Sequence, residues 1–588
     1  MRRIGAACMA VALIAGAVGS FAACQPKATQ ERDNTKTQLD ISFFAGGYGD
    51  AWVKEAEAEF ERMYANHSFE EGKMGVEVWI DSNKDVEGTL NQRIQLGSFF
   101  DLFFTTQHNI QGAAKQGWLA DISDVYNNVA TGDTHGKTIK EKLYDKENAL
   151  DIVSRDGKQY AVPYSLGVLG FVFDYGTFME NDWLFLADES DASELTAQGF
   201  TYTVEKNQYN IDVYKMQSYS GSKAINYKQG DVIAKAGKDG LFGTYDDGQP
   251  TDMLEWDEML TKIYSTEGAK AFIYAGASLE YVDAIAEAAW AQYDGLDNYN
   301  ISFSYDGTYV SPSTGEETKI TLDNGYKVFE SEGRLVALDF MKNNLANDTY
   351  MHPACTKTSR DVSTTQNEYI LGYRNTTTLP LTAMLCEGSW WENEARSLLK
   401  ALSDSGETER GYGKRDYRYM LLPNFDGQKG IDGEGNGSVL SAFEDGWVFV
   451  NNSSPSGEQA AAKKFIELTC SDAWLRRFTV MSGGYRAFEY ELTADDYNEM
   501  SPFARNHWNM ISDRENVAIV RPRSMQYVNP INWNSSTAVY RFGTRINTLY
   551  SNNCFPYIRQ YTAEEFYNGS MVRYGQETWT QMVQGLVK

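Results

Sequence analysis

Residues 39–44 read LDISFF, an apolar run typical of a buried strand, and the loop AGGYGD follows at 45–50. Apolar side chains then recur at helical spacing from residue 52 to residue 63. Two more apolar runs come next, at 75–80 and 100–104, with a helix-forming stretch between them. Strands and helices that alternate with short connections predict a parallel βαβ sheet, so we assign the chain to the α/β class.

The loops after the first and third predicted strands are the first candidates for a ligand site. In an open parallel sheet, ligands bind beyond the carboxyl ends of the strands, where the winding direction changes. The candidate ligand-binding residues in these loops are Tyr48, Thr106, Gln107 and His108.

The N-terminus has the features of a secretory signal. Two arginines precede an uncharged, mostly apolar stretch at 4–20, and two alanines stand directly before Cys24. This arrangement is typical of a bacterial lipoprotein, in which the cysteine thiol is acylated; the alternative is an ordinary cleaved signal. We expect residues 1–23 to be removed, Cys24 to carry the lipid and the polar stretch 24–38 to form a flexible linker. We therefore expect an extracytoplasmic protein, anchored by lipid to the outer face of a Gram-positive cell membrane.

The length and composition of the chain limit its functions. Roughly 550 residues follow the linker, more than one hydrophobic core organises, so two or more domains are expected. The formal net charge of −28 makes the chain a poor partner for nucleic acid. Aromatic residues make up 13% of the chain, with 37 Tyr and 13 Trp. Such a surplus suits sugar binding, because the C–H faces of pyranose rings stack on aromatic rings.

We find no catalytic motif and no metal site built from histidine or cysteine in the sequence. The five histidines do not lie at metal-ligand spacing, and neither a Gly-x-Ser-x-Gly elbow nor a Walker phosphate loop is present. After Cys24 come Cys355, Cys386, Cys470 and Cys554, for which disulfides and buried thiols both stay open. These observations favour binding over catalysis, with the two distant carboxylates of a glycosidase as the alternative.

Five parts of the chain resemble, in order, motifs of the family 1 extracellular solute-binding proteins, whose best-known members bind maltodextrins. They are DLFF with QGWLADI (101–104 and 116–122), DGKQYAVPY with GFVFDY (156–164 and 170–175), TAMLCEGSW (382–390), GEQAAAKKFIEL (457–468) and SGGYR (482–486). The resemblance covers about residues 39–490 and fades after Arg505. It implies a periplasmic-binding-protein-like fold of type II, in which a hinge joins two lobes around an interlobe ligand cleft.

The resemblance also implies how the chain divides between the lobes. We expect an N-lobe from 39–165 and 440–510, a C-lobe from 166–439 and 511–588, and insertions near 195–250 and 300–325. The second insertion alternates like the strands of a β-hairpin from residue 301 onward.

The first insertion contains GKDGLFGTYDDG at 237–248, with carboxylates at Asp239, Asp246 and Asp247. Acidic side chains among glycines in a tight loop are typical of Ca²⁺ sites, and the high calcium concentration outside cells fills even weak sites. The spacing does not match an EF-hand, and a solvated Asp-Gly turn explains the same residues. We expect either a structural calcium ion or such a turn, and no other cofactor.

The resemblance implies roles for individual residues in a sugar site. Trp390 occupies the motif position where maltodextrin binders place a stacking tryptophan, and Glu387 either faces the cleft or caps the turn. Tyr48 lies where the family places a ligand-contacting side chain. His108 stands where an acid often binds sugar hydroxyls, a departure that argues against maltodextrin itself. Further cleft candidates are Thr106, Gln107, Tyr164, Trp290, Tyr485, Arg486 and Trp533.

These features predict the substrate-binding lipoprotein of an ABC importer. As a monomer, it would capture an oligosaccharide between its lobes and deliver it to permease subunits in the membrane, without catalysis. The alternative from another class is a surface-anchored glycan-active enzyme, a hydrolase or lyase. A third interpretation is a sensor subunit that presents the sugar to a receptor.

Overall fold

The computed structural model describes residues 31–83, 100–106, 109–207, 210–223, 225–372, 379–406, 409–529, 531, 555–569 and 575–587. The first regular elements are β1 (Thr37–Phe44), α1 (Ala51–Met63), β2 (Val76–Asn83), β3 (Leu102–Thr105), α2 (Ile110–Lys115), α3 (Ser123–Asn127), α4 (Lys146–Val153), β4 (Val162–Asp174), α5 (Tyr175–Glu180) and α6 (Ala192–Ala197).

The middle of the chain forms a second series of helices and strands. They are β5 (Phe200–Lys206), β6 (Asp212–Tyr219), α7 (Met253–Ser265), β7 (Lys270–Ile273), α8 (Glu280–Asp294), α9 (Leu296–Ser304), β8 (Gly307–Val310), β9 (Glu317–Ile320), α10 (Glu332–Phe340), α11 (Val362–Leu371), β10 (Thr382–Gly388), α12 (Trp391–Glu394) and α13 (Arg396–Asp404). The last series is β11 (Tyr417–Met420), β12 (Ser438–Val450), α14 (Ser456–Thr469), α15 (Asp472–Ser482), α16 (Ala494–Glu499), α17 (Pro502–Ser512), β13 (Val517–Val520), α18 (Pro522–Met525), α19 (Phe555–Ile558), α20 (Ala563–Asn568) and α21 (Gln576–Val587).

One sheet runs through the centre of the molecule, with strands in the order β2-β1-β3-β12-β4-β10-β7. β1 pairs in parallel with both β2 and β3, which confirms the βαβ architecture predicted for the start of the chain. β7 and β10 form another parallel pair at the opposite end of the sheet. β11 pairs with β4, and β13 pairs with β12. The α/β class is therefore confirmed.

Two long antiparallel strands, β4 and β12, connect the two ends of this sheet. The first residues of β4 pair with the end of β12 beside β3, whereas Phe173, near the end of β4, lies opposite Met384 of β10. The β4–β12 register shifts on both sides of Asp445, and such irregularities bend a strand. Arg521 donates two hydrogen bonds to Asp445, at 2.6 and 3.0 Å, and both side chains are buried. The predicted division of the chain places the hinge in this region, between a first lobe around β1–β3 and a second lobe around β7 and β10. We use these names below and call β12 the hinge strand.

Helix α1 covers one face of the sheet in the first lobe. Trp52, Val53, Ala56 and Phe60 are buried, as their spacing predicts, whereas Met63 at the helix end is 40% exposed. Burying one large apolar side chain contributes roughly 1.5–3 kcal/mol. This packing positions the loop between β1 and α1.

The first insertion forms a small unit with an apolar core of its own. Its strands β5 and β6 pair as an antiparallel hairpin. The core residues are Ala187, Leu195, Phe200, Tyr214, Met216, Tyr227, Ile233 and Phe242. Lys238 Nζ donates to Ser438 Oγ of β12 at 2.6 Å, and the Tyr245 hydroxyl donates to Asp513 at 2.8 Å. These bonds join the insertion to the hinge strand and to the segment before β13.

The second insertion is a hairpin only in part. β8 and β9 pair in antiparallel fashion, but residues 301–304, predicted as strand, belong to helix α9. Tyr299 and Phe303 lie one helical turn apart, and their ring centroids are 4.6 and 6.4 Å from that of Trp290. The alternating pattern was therefore misleading, because packing against α8 favours the helix over the strand.

The described cysteines resolve an alternative that the sequence left open. Cys355, Cys386 and Cys470 are buried free thiols. Burial raises the pKa of the Cys355 thiol to about 12, so this thiol is inert at neutral pH. Cys554 lies outside the described residues.

The expectations about the N-terminus lie mostly outside the described residues, which begin at residue 31. Among the helices that the structure describes, none has the length and apolar character needed to cross a membrane. The signal peptide, the lipid on Cys24 and the lobe boundaries stay predictions.

Candidate functional site

The loops that follow β1 and β10 meet between the two lobes. Tyr48, in the first loop, contacts Trp390, in the second, edge to face with ring centroids 6.3 Å apart. The Tyr48 hydroxyl lies 3.0 Å from the Ser389 hydroxyl. The Asn393 side-chain amide donates to the carbonyl oxygen of Gly47 at 2.5 Å. The structure thus brings together the two residues for which the motifs implied ligand contact.

Two more aromatic rings enclose Trp390. Tyr281, at the start of α8, and Phe443, in β12 near the hinge, have ring centroids 6.3 and 6.1 Å from that of Trp390. Tyr281 and Phe443 also contact each other edge to face at 4.8 Å. Trp390 is only 1% exposed as a result. We call Tyr48, Tyr281, Trp390 and Phe443 the junction rings, since they come from both lobes and the hinge strand.

One charged side chain contacts a junction ring, and further polar side chains lie on the strand and the helix that carry Phe443 and Tyr281. The Arg523 guanidinium lies 3.5 Å from the centroid of the Phe443 ring, a cation–π contact. Ser441 donates to a carboxylate oxygen of Glu287 at 3.2 Å, and Asp283 is buried one turn earlier on α8. If the two loops separated, rings beside such polar groups would suit a ligand that has both apolar faces and hydroxyl groups.

Sequence reasoning missed Tyr281, Phe443 and Arg523. Phe443 lies in a mostly apolar strand and Tyr281 on an apolar helix, so both look like core residues. No local signal distinguishes them, because the rings that they contact come from distant parts of the chain.

Tyr164 and Arg486 lie in the core of the first lobe, which corrects their assignment to the cleft. The Tyr164 ring stacks on Trp52 at 6.0 Å and is 1% exposed. Arg486 donates to the carbonyl oxygens of Thr469 and Pro163, at 3.1 and 3.3 Å. Burial lowers the pKa of Arg486. Tyr164 therefore adds aromatic packing to the core of the lobe, and Arg486 is held there by hydrogen bonds to backbone carbonyl oxygens.

Trp290 and Tyr485 also lie away from the junction rings. Trp290 Nε1 donates to Asp294 at 2.8 Å, and the Arg334 guanidinium lies 4.0 Å from its ring centroid. Tyr485 stacks on Tyr490 at 5.7 Å, beside a separate polar groove of about 800 Å³. The cleft assignment of both residues is corrected: packing between helices buries Trp290, and Tyr485 borders a different surface.

Glu387 caps the turn, one of the two roles that the sequence allowed. Its Oε1 accepts a hydrogen bond from the Gly388 backbone N–H at 2.9 Å, and its Oε2 accepts one from Gln366 at 3.2 Å. The residue is 2% exposed. Glu387 therefore shapes the turn before Trp390.

The loop after β3 is described only in part. Thr106 is buried directly after that strand. Gln107 and His108 lie outside the described residues, as does Trp533, so their roles stay predictions.

The acidic loop of the first insertion supplies many of its own hydrogen-bond donors. Asp247 accepts a hydrogen bond from the Tyr227 hydroxyl. Asp246 accepts one from the Thr244 hydroxyl at 2.9 Å and one from the Asp239 backbone N–H at 3.2 Å. The glycine-rich sequence thus forms a compact, buried turn rather than the solvated turn that was the alternative to calcium.

Burial changes the protonation of this loop. Burial and the neighbouring Asp246 raise the pKa of Asp239 to about 8, and the same two causes raise that of Asp247 to about 7. Burial also lowers the pKa of Lys238 to about 7. The carboxyl groups of this loop therefore favour their neutral forms at a pH where exposed carboxyls are ionised.

A different cluster brings potential metal ligands together among the described residues. Within the described ranges, one set of three acidic or histidine side chains has its ligand atoms within 4.8 Å of one another: Asp133, His135 and Asp472. The ammonium group of Lys142 lies 2.7 Å from Asp133 and 2.5 Å from Asp472. Lys142 already supplies the positive charge there, so this cluster is an ion-pair network.

Comparison with known proteins gives a structural likeness only. No protein-family model and no curated protein matches the chain. The structure of apo-form RafE from Streptococcus pneumoniae matches with a TM-score of 0.51 and 12% sequence identity, covering 93% of this chain and 98% of RafE. A chitin oligosaccharide binding protein matches with a TM-score of 0.49 and 12% identity, covering 91% of this chain and 100% of that protein. The likeness to RafE confirms the predicted two-lobed α/β fold.

Proposed function

We propose that this protein is the extracytoplasmic substrate-binding lipoprotein of an ABC importer and captures an oligosaccharide between its lobes. The observation that carries the proposal is the set of junction rings, which come from both lobes and from the hinge strand. Pyranose rings stack their C–H faces on aromatic rings, and the neighbouring Arg523, Ser441 and Glu287 suit hydroxyl groups.

The hinge supports a mechanism of capture by closure. Two strands, β4 and β12, cross between the lobes, and the ladder between them is irregular at Asp445. A rotation at this point would separate the junction rings and admit a ligand, and the reverse rotation would enclose it. Binding by closure requires no covalent chemistry.

Delivery to a permease and the lipid anchor rest on the N-terminal sequence. The lipoprotein signal before Cys24 would hold the binder at the membrane, beside the permease subunits that receive the sugar. We propose that the protein acts there as a monomer.

Calcium in the first insertion stays a proposal. Asp239 and Asp246 lie close together in a buried loop, and a divalent cation would relieve their repulsion as protons do. The role of the ion would be structural, since the loop contacts Ser438 and Asp513 rather than the junction rings.

The test is a panel of maltotriose, cellotriose, xylotriose and chitotriose, screened by thermal shift and then by calorimetry. We expect at least one trisaccharide to raise the melting temperature, because a ligand of the folded state stabilises it by mass action. The sugar should be recovered intact after incubation. Shorter products would instead support the glycan-active enzyme, and no shift with any of the four would contradict the proposed substrate class.

A further inference from the structure

The junction leaves no ring face of Trp390 open to a ligand. Trp390 is 1% exposed, although the proposed function requires it to receive a sugar ring. A Cβ atom added to Gly47 would lie 2.6 Å from both Cβ and Cδ1 of Trp390. The Gly47 backbone therefore lies directly on the tryptophan, and a sugar cannot enter between them in this conformation.

Two hydrogen bonds hold the same place closed, and both join the lobes. Asn393, after β10, donates to the Gly47 carbonyl oxygen at 2.5 Å. The hydroxyls of Tyr48, after β1, and Ser389, after β10, lie 3.0 Å apart. A hydrogen bond contributes about 0.5–1.5 kcal/mol to the state in which it forms. The closed arrangement thus has direct contacts of its own and needs no ligand to bridge the lobes.

The close approach itself requires glycine at position 47. The backbone of Gly47 is not in the left-handed region, so its conformation would admit other residues. The overlap of an added Cβ with Trp390 is what excludes them. Any larger residue at position 47 would push the two loops apart.

We propose that Gly47, Tyr48, Ser389 and Asn393 form an autoinhibitory latch, which closes the empty cleft over Trp390 and competes with the sugar. This inference rests on the proposed function, in which Trp390 receives a sugar ring. Only molecules with an open latch bind, so the apparent Kd equals the intrinsic Kd divided by the open fraction. Weakening the latch therefore tightens binding.

The principal test is the variant Gly47→Ala, whose added methyl group overlaps Trp390. The apparent Kd for the trisaccharides of the panel should fall, by about tenfold if nine tenths of the wild-type molecules are latched. The association rate constant should rise while the dissociation rate constant stays unchanged. Small-angle scattering of the sugar-free variant should show a larger radius of gyration. The matched control is Gly176→Ala in α5, where an added Cβ meets only ordinary contacts, at 3.7 Å and beyond.

A second variant, Asn393→Ala, removes one bond of the latch without adding volume. Asn393→Ala should also lower the apparent Kd and raise the radius of gyration of the sugar-free protein, but by less than Gly47→Ala does. Its control is Asn452→Ala, which removes an amide bond of 3.0 Å to the Gly117 carbonyl within the first lobe. Unchanged or weaker binding in the folded Gly47→Ala and Asn393→Ala proteins would overturn the latch.

The outcome also separates the latch from the proposed function. If wild-type protein binds none of the four trisaccharides, the proposed function fails, and the scattering data decide the latch alone. In that case, the latch is overturned if both variants have the same radius of gyration as the sugar-free wild type. A larger radius in both supports it.

Discussion

Two aromatic clusters adjoin each other in this protein and differ in which lobe supplies their rings. The core rings, Phe43, Trp52, Phe104, Tyr164 and Phe478, all come from the first lobe. The junction rings come from both lobes, and Tyr48 touches Phe478 with ring centroids 5.4 Å apart. In the proposed closure, a hinge rotation would leave the core rings together but separate the junction rings. The same residue types would then stabilise a lobe in one place and control access to a cleft in the other.

The largest expected effects come from removing one tryptophan from each cluster. Trp52→Ala should lower the free energy of unfolding by about 3–5 kcal/mol, because it opens a cavity in the core of one lobe. Trp390→Ala should instead weaken trisaccharide binding about 100-fold, or about 2.7 kcal/mol, since the proposed sugar platform is lost. Denaturant titration and calorimetry measure the two quantities separately.

The control for this pair is Trp474→Ala, which changes a half-buried tryptophan on the outer face of α15. It should leave the affinity unchanged. If Trp390→Ala binds as tightly as Trp474→Ala, the two clusters do not differ in the way described, and both are structural.

A smaller effect concerns the pH dependence of the free energy of unfolding, to which we expect Asp239, outside both aromatic clusters, to contribute. Asp239 has a pKa of about 8 when folded, against about 4 when unfolded, so folding favours its protonated form. Its stabilising contribution is complete below pH 4 and is lost as the pH rises to 8. In EDTA, the stability of the wild type relative to that of Asp239→Asn should fall by roughly 1–3 kcal/mol as the pH rises across this range.

The same measurement tests calcium. Millimolar calcium should raise the melting temperature of the wild type near pH 8 and leave that of Asp239→Asn unchanged. A wild-type melting temperature insensitive to calcium would leave proton binding as the only means of relieving the repulsion. A variant less stable than the wild type near pH 8 in EDTA would contradict the raised pKa.

The smallest effect separates two roles for one hydroxyl group. Tyr48→Phe removes the contact of 3.0 Å to Ser389, worth about 1 kcal/mol, while keeping the ring. If the hydroxyl group belongs to the latch, its removal should tighten trisaccharide binding by at most about fivefold, less than Gly47→Ala does. Weaker binding in calorimetry would mean that the hydroxyl contacts the sugar, the role that the sequence resemblance implied.

The sequence predicted the parts of the site that lie within continuous motifs. Tyr48 follows the first strand and Trp390 ends a recognisable segment, so both could be placed at loop positions from local patterns. Phe443 could not, because a strand that crosses a hinge has the same apolar pattern as one that does not, and Tyr281 could not, because it lies on a mostly apolar helix typical of a core. Tyr164 was assigned to the cleft because it lies where the chain first crosses between the predicted lobes. A residue at such a crossing can still lie in the core of one lobe.

The sequence by itself determined the order of strands and helices at the start of the chain, because hydrophobic periodicity and short connections act over neighbouring residues. It also determined how many aromatic and acidic side chains the protein has. Only the tertiary structure decided which rings share a lobe and which meet across it, since Tyr48 and Ser389 are 341 residues apart in the chain. Contacts at that separation depend on how the whole sheet is ordered, and no local pattern encodes that order.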